Sequence, residues 1–301
     1  MHSPKVLVIG KGAIGVAVAC RLKILGYSPV FVGRKGSIDV HVHFKGWGQS
    51  FWLDVKKLTE ADLSKVVGCF IAVKAFDLEG AAGRFLPYLP SEVPVISLSN
   101  GATQGIVERV QKKFPTLQMR LGFCTAGVTT VNVNHFELRS SKGGVFWGKI
   151  ARSQKMTPFE NDLVNVKCDS FFNMVDHVFP AHRMKWLFNT VMNSICAVKQ
   201  YERNGLLLDD LEYLRGVFSE AFELGSELWG EWPESRQRLF DDLISLITAT
   251  RENENSMHKD MRLNLRTEAD YLSGLAKDSS KYPCLTELTD QIRKSSAHLI
   301  R

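Results

Sequence analysis

The chain of 301 residues is long enough for about two domains at the usual size of roughly 100 to 200 residues each. Hydrophobic residues make up 45% and charged residues 23% of a sequence without biased tracts or visible repeats, which excludes a disordered chain and a repeat architecture. The formal net charge of +6 comes from basic residues scattered among acidic ones, so it predicts no nucleic-acid partner.

The cysteines form neither a C-x-x-C pair nor a zinc-type pattern with histidines, which predicts reduced thiols and no metal site. They are Cys20, Cys69, Cys124, Cys168, Cys196 and Cys284. No segment approaches the roughly 18 apolar residues of a membrane span, and the N-terminal apolar run is too short for a signal sequence. We therefore expect a cytoplasmic protein that does not enter a membrane.

The first half of the chain alternates short apolar runs with helical periodicity, which is typical of a parallel sheet with crossover helices. The predicted strands are residues 5–9, 28–32, 68–74, 93–99 and 118–124, and the predicted helices are residues 13–25, 77–87 and 102–114. Strict alternation in 39–44 and 50–55 predicts an added hairpin. A second hairpin is predicted over 135–149 with its turn at 142–144, and a last strand near 173–178.

Three glycines follow the first predicted strand and open the first predicted helix, in the sequence GKGAIG. Gly10 permits a tight turn, Gly12 lets the backbone approach a pyrophosphate, and Gly15 lets the helix pack against the strand. Ala13 and Ile14 complete a loop that places the helix N-terminus at the phosphates. A glycine-rich turn without a ligand is the alternative, but strand, spacing and helix together favour a dinucleotide site.

The end of the second predicted strand indicates which dinucleotide binds. An NAD site usually places Asp or Glu about 20 residues after the glycines, whereas this chain has Gly33, Arg34 and Lys35 there. A guanidinium beside an ammonium suits a 2′-phosphate, so NADP(H) is favoured over NAD(H). The alternative is an exposed Arg-Lys turn without a ligand.

The segment MKWLFNTVMNSICAV carries three polar residues, Lys185, Asn189 and Asn193, at a spacing of four. On a helix this spacing places them on one narrow stripe. The stripe could face water, or it could line a cleft with an amine and two amides directed at a ligand.

Helical periodicity continues from about residue 179 to the C-terminus. The predicted fold class is α/β, with a Rossmann-type doubly wound parallel sheet in residues 1–178 and an all-helical domain in residues 179–301.

The chain resembles the ketopantoate reductase (2-dehydropantoate 2-reductase) family, which reduces a 2-oxo acid with NADPH in pantothenate biosynthesis. The order and spacing of several short motifs carry this resemblance. They are GKGAIG at 10–15, VKAFD at 73–77, SNGA at 99–102, GVTT at 127–130, KWLFNTVMN at 185–193 and SMHKDMRLNLRTEADYLSG at 256–274.

The resemblance implies that residues 179–301 form the substrate and catalytic domain, and it implies a role for each matching residue there. Lys185 would protonate the carbonyl oxygen as hydride arrives, which agrees with the need of that step for a proton donor. Asn189 and Asn193 would hold polar groups of the substrate, and Ser256 would contact its carboxylate. Glu268 would bind at the substrate or hold Lys185 in place.

The resemblance also implies that Arg34 takes the 2′-phosphate and that Lys74 and Asn100, at strand ends, reach cofactor or substrate. Simpler alternatives remain open for several of these residues. Lys74 could be a surface lysine, Asn100 a turn residue, Ser256 a helix N-cap and Glu268 an exposed helix charge.

The family's glycine-rich hairpin after GVTT and its C-terminal Gly-x-x-x-Pro turn are replaced here by NVNHFELRSSKGGVFWG and SSKYPCLTEL. These departures affect loops more than chemical groups. The expected function is therefore reduction of a 2-oxo acid to a 2-hydroxy acid, with ketopantoate as the best single substrate. Another 2-oxo acid, or a catalytically inactive NADP(H)-binding sensor, is the alternative, and the pattern is compatible with a homodimer.

Overall fold

The computed structural model describes residues 3–32, 40–55, 63–139, 143–165 and 170–296. The chain divides into two compact units. The first contains Met1–Ser99 and Thr103–Val178, and the second contains Asn100–Ala102 and Phe179–Arg301. The three residues Asn100–Ala102, which the sequence places among the strands and helices of the first domain, therefore belong to the second unit.

The strands of the first unit form two sheets. They are β1 (Lys5–Ile9), β2 (Ser28–Val32), β3 (Val40–Gly46), β4 (Gln49–Val55), β5 (Val66–Ile71), β6 (Pro94–Ser97), β7 (Gln118–Cys124), β8 (Val128–Asn132), β9 (His135–Leu138), β10 (Val145–Lys149) and β11 (Phe172–Met174). The larger sheet has the order β11-β10-β7-β6-β5-β1-β2, and the smaller sheet has the order β4-β3-β9-β8. Strand β10 runs antiparallel to β7, whereas the other neighbours in the larger sheet are parallel.

Strand β1 shows why the sequence forms a parallel sheet. Val6, Leu7 and Val8 are fully buried and Ile9 is almost so, although neighbouring side chains in a strand point to opposite faces. A continuous apolar run of this kind belongs to a strand that is covered on both sides.

The three helices predicted in the first domain are present with ends that differ by a few residues, and the structure adds the helix Pro158–Asn165, which the sequence analysis did not predict. In the first unit they are α1 (Ala13–Ile24), α2 (Leu78–Phe85), α3 (Gln104–Lys113) and α4 (Pro158–Asn165). The second unit is built from α5 (Val178–Lys199, whose first residue belongs to the first unit), α6 (Leu211–Trp229), α7 (Arg236–Ala249), α8 (Ser256–Arg262) and α9 (Pro283–Ser296), with short 3-10 turns between them. The predicted fold class, a mainly parallel α/β sheet followed by a helical region, is confirmed.

One predicted hairpin is confirmed and the other is wrong. Strands β3 and β4 pair antiparallel around Trp47 and Gly48, whose φ angles of 48° and 73° suit a tight two-residue hairpin turn. Residues 135–149 form no hairpin, because β9 pairs with β8 and β3 while β10 pairs with β7 and β11. The hairpin in this region joins β8 to β9 and turns at Asn134, with φ of 60°.

The glycines 143 and 144 that suggested the second hairpin have a different use. A Cβ atom on Gly144 would lie 2.3 Å from the carbonyl oxygen of Phe171, and Gly143 has a φ of 104° and packs against Thr125. These glycines allow the backbone to pass close to its neighbours as it enters the larger sheet. The last predicted strand is also shorter than expected, since β11 ends at Met174.

A buried ion pair ties α4 to the larger sheet. Arg120 on β7 donates to both carboxylate oxygens of Glu160 on α4, at 2.6 and 2.9 Å, and both side chains are completely buried. The Trp147 indole and the backbone N–H of Thr157 also donate to this carboxylate. Burial by itself would raise the pKa of Glu160, but the hydrogen bonds and charge of Arg120 outweigh it, and the pKa lies below its usual range.

Three sequence expectations concern what the fold lacks. In the described ranges, no helix has both the length and the apolar content needed to cross a membrane. The same part of the chain holds no cluster of three or more His, Cys, Asp or Glu side chains suited to a metal ion. Cys20, Cys69, Cys124, Cys196 and Cys284 are free thiols, and Cys168 lies outside the described residues.

Candidate active site

The glycine loop between β1 and α1 is shaped by two close backbone approaches. Gly10 has a φ of 101°, and a Cβ atom there would lie 2.5 Å from the carbonyl oxygen of Ala72. A Cβ atom on Gly15 would lie 1.9 Å from the carbonyl oxygen of Gly10. Side chains at either position are therefore incompatible with the turn and with the packing of α1 against it.

Gly12 differs from its two neighbouring glycines, since a Cβ atom there would meet no atom within 4 Å. It is the N-cap residue of α1, and the helix has no side-chain cap and no acidic residue in its first turn. The backbone N–H groups of the first turn, which starts with Ala13 and Ile14, have no partner within the helix and can bind an anionic group such as a pyrophosphate.

Lys74 lies in the first unit just after β5. It is half-buried and precedes the 3-10 turn Ala75–Asp77. Next to it, the Ser99 hydroxyl donates to the carbonyl oxygen of Val73 at 2.8 Å, which joins the chain ends that leave β5 and β6. Arg34 and Lys35 lie outside the described residues.

In the second unit, Lys185 on α5 donates a hydrogen bond from Nζ to Oδ1 of Asn100. An ammonium carries three N–H donors, so this bond commits one of them and fixes the direction of the side chain. The contact unites two residues that are 85 positions apart and that sequence analysis assigned to different domains.

The position of Asn100 depends on one backbone carbonyl. The carbonyl oxygen of Tyr271 accepts hydrogen bonds from the backbone N–H of Ala102 at 3.0 Å and from the Trp186 indole at 3.2 Å. Gly101 has a φ of 84°, and a Cβ atom there would lie 2.7 Å from Cβ of Tyr271. Glycine is thus required for the 100–102 segment to pack against Tyr271.

The two asparagines that follow Lys185 on the stripe have different surroundings. Asn189 is half-buried, and Asn193 is only 7% exposed. Oδ1 of Asn193 accepts a hydrogen bond from Nδ2 of Asn255 at 2.8 Å. No other atom in the described ranges hydrogen-bonds to the Asn193 amide, and none to the Asn189 amide. The polar stripe of α5 is thus not simply a solvent face.

The alternatives for Ser256 and Glu268 are both wrong. Asn255 is the N-cap residue of α8, while Ser256 is the exposed first residue of that helix. Glu268 is only 5% exposed and directly precedes the 3-10 turn Ala269–Tyr271, so it is not an exposed helix charge. Its backbone carbonyl accepts from Tyr271 at 2.9 Å.

Sequence reasoning missed His182, which lies one turn before Lys185 on α5. Burial, together with the nearby positive charge of Lys185, lowers the pKa of His182 to about 3. His182 is therefore a neutral imidazole at physiological pH. Its position three residues before a predicted catalytic lysine was the only sequence signal that could have identified it.

Family models match both parts of the chain. The model described as "Ketopantoate reductase PanE/ApbA" matches residues 6–152, and the model described as "Ketopantoate reductase PanE/ApbA C terminal" matches residues 179–277. The chain is also 22% identical over 287 residues to the 2-dehydropantoate 2-reductase of Vibrio cholerae, which covers 89% of this chain and 88% of that protein.

Solved structures share the fold over nearly the whole chain. A complex of D-mandelate dehydrogenase with NADH and anilino(oxo)acetate has a TM-score of 0.82 at 16% identity, covering 99% of this chain and 100% of that one. A dimeric ketopantoate reductase from Staphylococcus aureus has a TM-score of 0.77 at 16% identity, covering 98% of this chain and 99% of that one.

The fold, an α/β sheet with a glycine loop followed by a helical region, is shared with these two solved structures. The chain belongs to the ketopantoate reductase family. The prediction that the chain belongs to this family is therefore confirmed, and so is the prediction that it is an oxidoreductase. Family and neighbours indicate a 2-oxo acid reductase of the ketopantoate reductase type.

The loop glycines can be separated by two alanine substitutions. Gly12→Ala adds a methyl group where the protein leaves space, so we expect unchanged thermal stability but at least about tenfold weaker NADPH binding, or about 1.4 kcal/mol. Gly15→Ala should instead cost about 1–3 kcal/mol of stability because its methyl group meets the Gly10 carbonyl. Thermal unfolding and NADPH fluorescence titration measure both effects. Equal NADPH affinity of Gly12→Ala and wild type would contradict this interpretation of the loop.

Gly101→Ala tests whether the 100–102 segment positions Lys185. A methyl group would push the segment away from Tyr271 and remove the Asn100 amide from Nζ of Lys185, so we expect turnover to fall about tenfold or more. Gly216→Ala on α6 is the control in the same unit, since its Cβ atom would meet nothing within 4 Å. Similar turnover of the two variants would show that the segment has no such role.

Proposed function

We propose that the protein reduces a 2-oxo acid to the 2-hydroxy acid with NADPH, and that 2-dehydropantoate, reduced to pantoate, is the best single substrate. The observation that carries this proposal is the hydrogen bond from the Lys185 ammonium to the Asn100 amide. Lys185 lies on the same helix as the amides of Asn189 and Asn193. The family and the neighbouring structures support the same class of reaction.

Reduction of a ketone builds negative charge on the carbonyl oxygen, which becomes a hydroxyl when it takes a proton. The proposed cofactor, NADPH, supplies the hydride. Lys185 would supply the proton from Nζ, and its neutral amine would then be reprotonated from solvent. The amide of Asn100 holds Nζ in one direction, so the Lys185 side chain loses little conformational freedom when substrate binds.

The remaining proposed roles concern charge and shape. Asn189 and Asn193 would donate hydrogen bonds to substrate oxygens, and Ser256, which is exposed at the start of α8, would contact the carboxylate. Glu268, buried in the same unit, would bind at the substrate or hold Lys185. Gly10, Gly12 and Gly15 would form the dinucleotide loop with Lys74 nearby at the end of β5.

The dinucleotide preference depends on Arg34. A guanidinium can bind the 2′-phosphate of NADPH with two hydrogen bonds, and NADH has no such group. Arg34→Ala should therefore raise the Michaelis constant for NADPH by about tenfold or more, since charged hydrogen bonds contribute about 1.5–3 kcal/mol, and leave that for NADH nearly unchanged. Equal increases for both cofactors in steady-state kinetics would remove Arg34 from the 2′-phosphate site.

The role of Lys185 predicts a separation of turnover from binding. Lys185→Ala should lower kcat by about 100-fold to 10,000-fold, the usual effect of losing a general acid, with little change in the dissociation constant for NADPH. Stopped-flow turnover and equilibrium titration give the two quantities. Turnover near that of wild type would exclude Lys185 as the proton donor.

The direct test of the proposed function is NADPH oxidation by the purified protein with 2-dehydropantoate, pyruvate, 2-oxoisovalerate, oxaloacetate and phenylglyoxylate, repeated with NADH. Preferred turnover of 2-dehydropantoate would support the proposed substrate. Preferred turnover of phenylglyoxylate would instead favour a bulky aromatic 2-oxo acid, which the structural likeness to D-mandelate dehydrogenase makes the second candidate. NADPH binding without turnover of any 2-oxo acid would favour a sensor.

Three broader expectations remain proposals. We propose a place in pantothenate biosynthesis, a cytoplasmic location and a homodimer, the last supported by the dimeric state of the Staphylococcus aureus ketopantoate reductase. Rescue of a pantothenate auxotroph, fractionation of cells and sedimentation of the purified protein test them separately.

A further inference from the structure

Asn255 connects the start of α8 to the polar stripe of α5. Its Oδ1 accepts hydrogen bonds from the backbone N–H groups of Met257 at 2.9 Å and His258 at 3.5 Å, which makes it the N-cap of α8. The side chain is only 5% exposed. Its amide oxygen is therefore fixed on the helix end, since the opposite orientation would place an NH2 group against two N–H donors.

The fixed orientation of Asn255 also fixes that of Asn193. Because Oδ1 of Asn255 faces the helix, Nδ2 faces away and donates to Oδ1 of Asn193 at 2.8 Å. If the Asn193 amide were turned over, two NH2 groups would oppose each other at hydrogen-bond distance without an acceptor. The NH2 group of Asn193 must therefore point away from Asn255, and in the described part of the chain no protein acceptor takes it.

We propose that Asn255 is a positioning residue that makes Asn193 a hydrogen-bond donor to the substrate. This inference rests on the proposed function, because a 2-oxo acid offers a carboxylate and a carbonyl oxygen, which only accept hydrogen bonds. An amide that presented its oxygen would repel those groups. The backbone N–H groups of α8 thus determine, through two amides, which atom of Asn193 a substrate meets.

Asn255→Asp is a direct test, because it keeps the shape of the side chain while it replaces the NH2 donor by a second acceptor oxygen and adds a negative charge. A carboxylate of the same shape still accepts from Met257 and His258 and suits a helix N-terminus, so α8 should remain capped. It cannot donate to Asn193, whose NH2 group would turn toward the new carboxylate and present its oxygen to substrate. We expect the Michaelis constant for the 2-oxo acid to rise about fivefold to 100-fold, the effect of one misplaced buried hydrogen bond.

The same variant should leave the NADPH dissociation constant and the unfolding temperature near those of wild type, and kcat should change less than the Michaelis constant.

Asn255→Ser is the matched control, since a serine also caps a helix but its shorter side chain carries no donor that reaches Asn193. It frees Asn193 without reversing it, so its Michaelis constant should lie between those of wild type and Asn255→Asp. Asn255→Ala removes the cap as well and should lower the unfolding temperature most.

The results separate three interpretations. If the Michaelis constant rises in the uncharged Asn255→Ser as well as in Asn255→Asp, and Asn255→Asp stays as stable as wild type, the positioning role is supported. A rise in Asn255→Asp alone reflects repulsion between the new charge and the substrate carboxylate and overturns the inference. If the Michaelis constant rises only as the unfolding temperature falls, Asn255 is a structural cap and the inference is overturned. A Michaelis constant for Asn255→Asp within twofold of wild type also overturns it and leaves the proposed reaction intact, whereas absence of turnover in wild type itself overturns both.

Discussion

The position of the proposed catalytic group, the Lys185 ammonium, depends on the hydrogen bonds that the carbonyl oxygen of Tyr271 accepts. This oxygen binds the backbone of the 100–102 segment and the indole of Trp186, the residue next to Lys185 on α5. Two segments that are far apart in sequence are thereby held on one acceptor, and Asn100 comes to lie on Nζ of Lys185. The requirement for glycine at position 101 follows from the same contact, since no side chain fits between the segment and Tyr271.

A second set of hydrogen bonds determines the direction of the amides rather than their position. The start of α8 orients Asn255, and Asn255 orients Asn193. His182 adds a neutral imidazole one turn from Lys185, because burial and the lysine charge both oppose its protonation. In the proposed reaction, the second unit would supply a cation and oriented amides for the substrate, and the first would supply a glycine loop for the dinucleotide.

The sequence predicts the parts of this arrangement that depend on local pattern. The glycine loop, the parallel strands, the helical region and the stripe of α5 all follow from spacing and from the burial that spacing implies. Asn100 shows the limit, because only tertiary contacts group it with the second unit. The alternative in which Ser256 caps α8 places the cap one residue too late, since Asn255 and Ser256 are both favourable caps and the sequence does not distinguish them. The wrong hairpin at 135–149 arose because adjacent glycines indicate either a turn or a close backbone approach.

The most direct test of the central claim, that Lys185 gives the proton, is the pH dependence of single-turnover hydride transfer in wild type and Lys185→Met. A general acid must be protonated, so the account predicts that the wild-type rate falls with rising pH through one ionisation. In Lys185→Met the slow residual rate should lack that ionisation. An alkaline decrease of the same form in both proteins would assign the proton to another group and contradict the account.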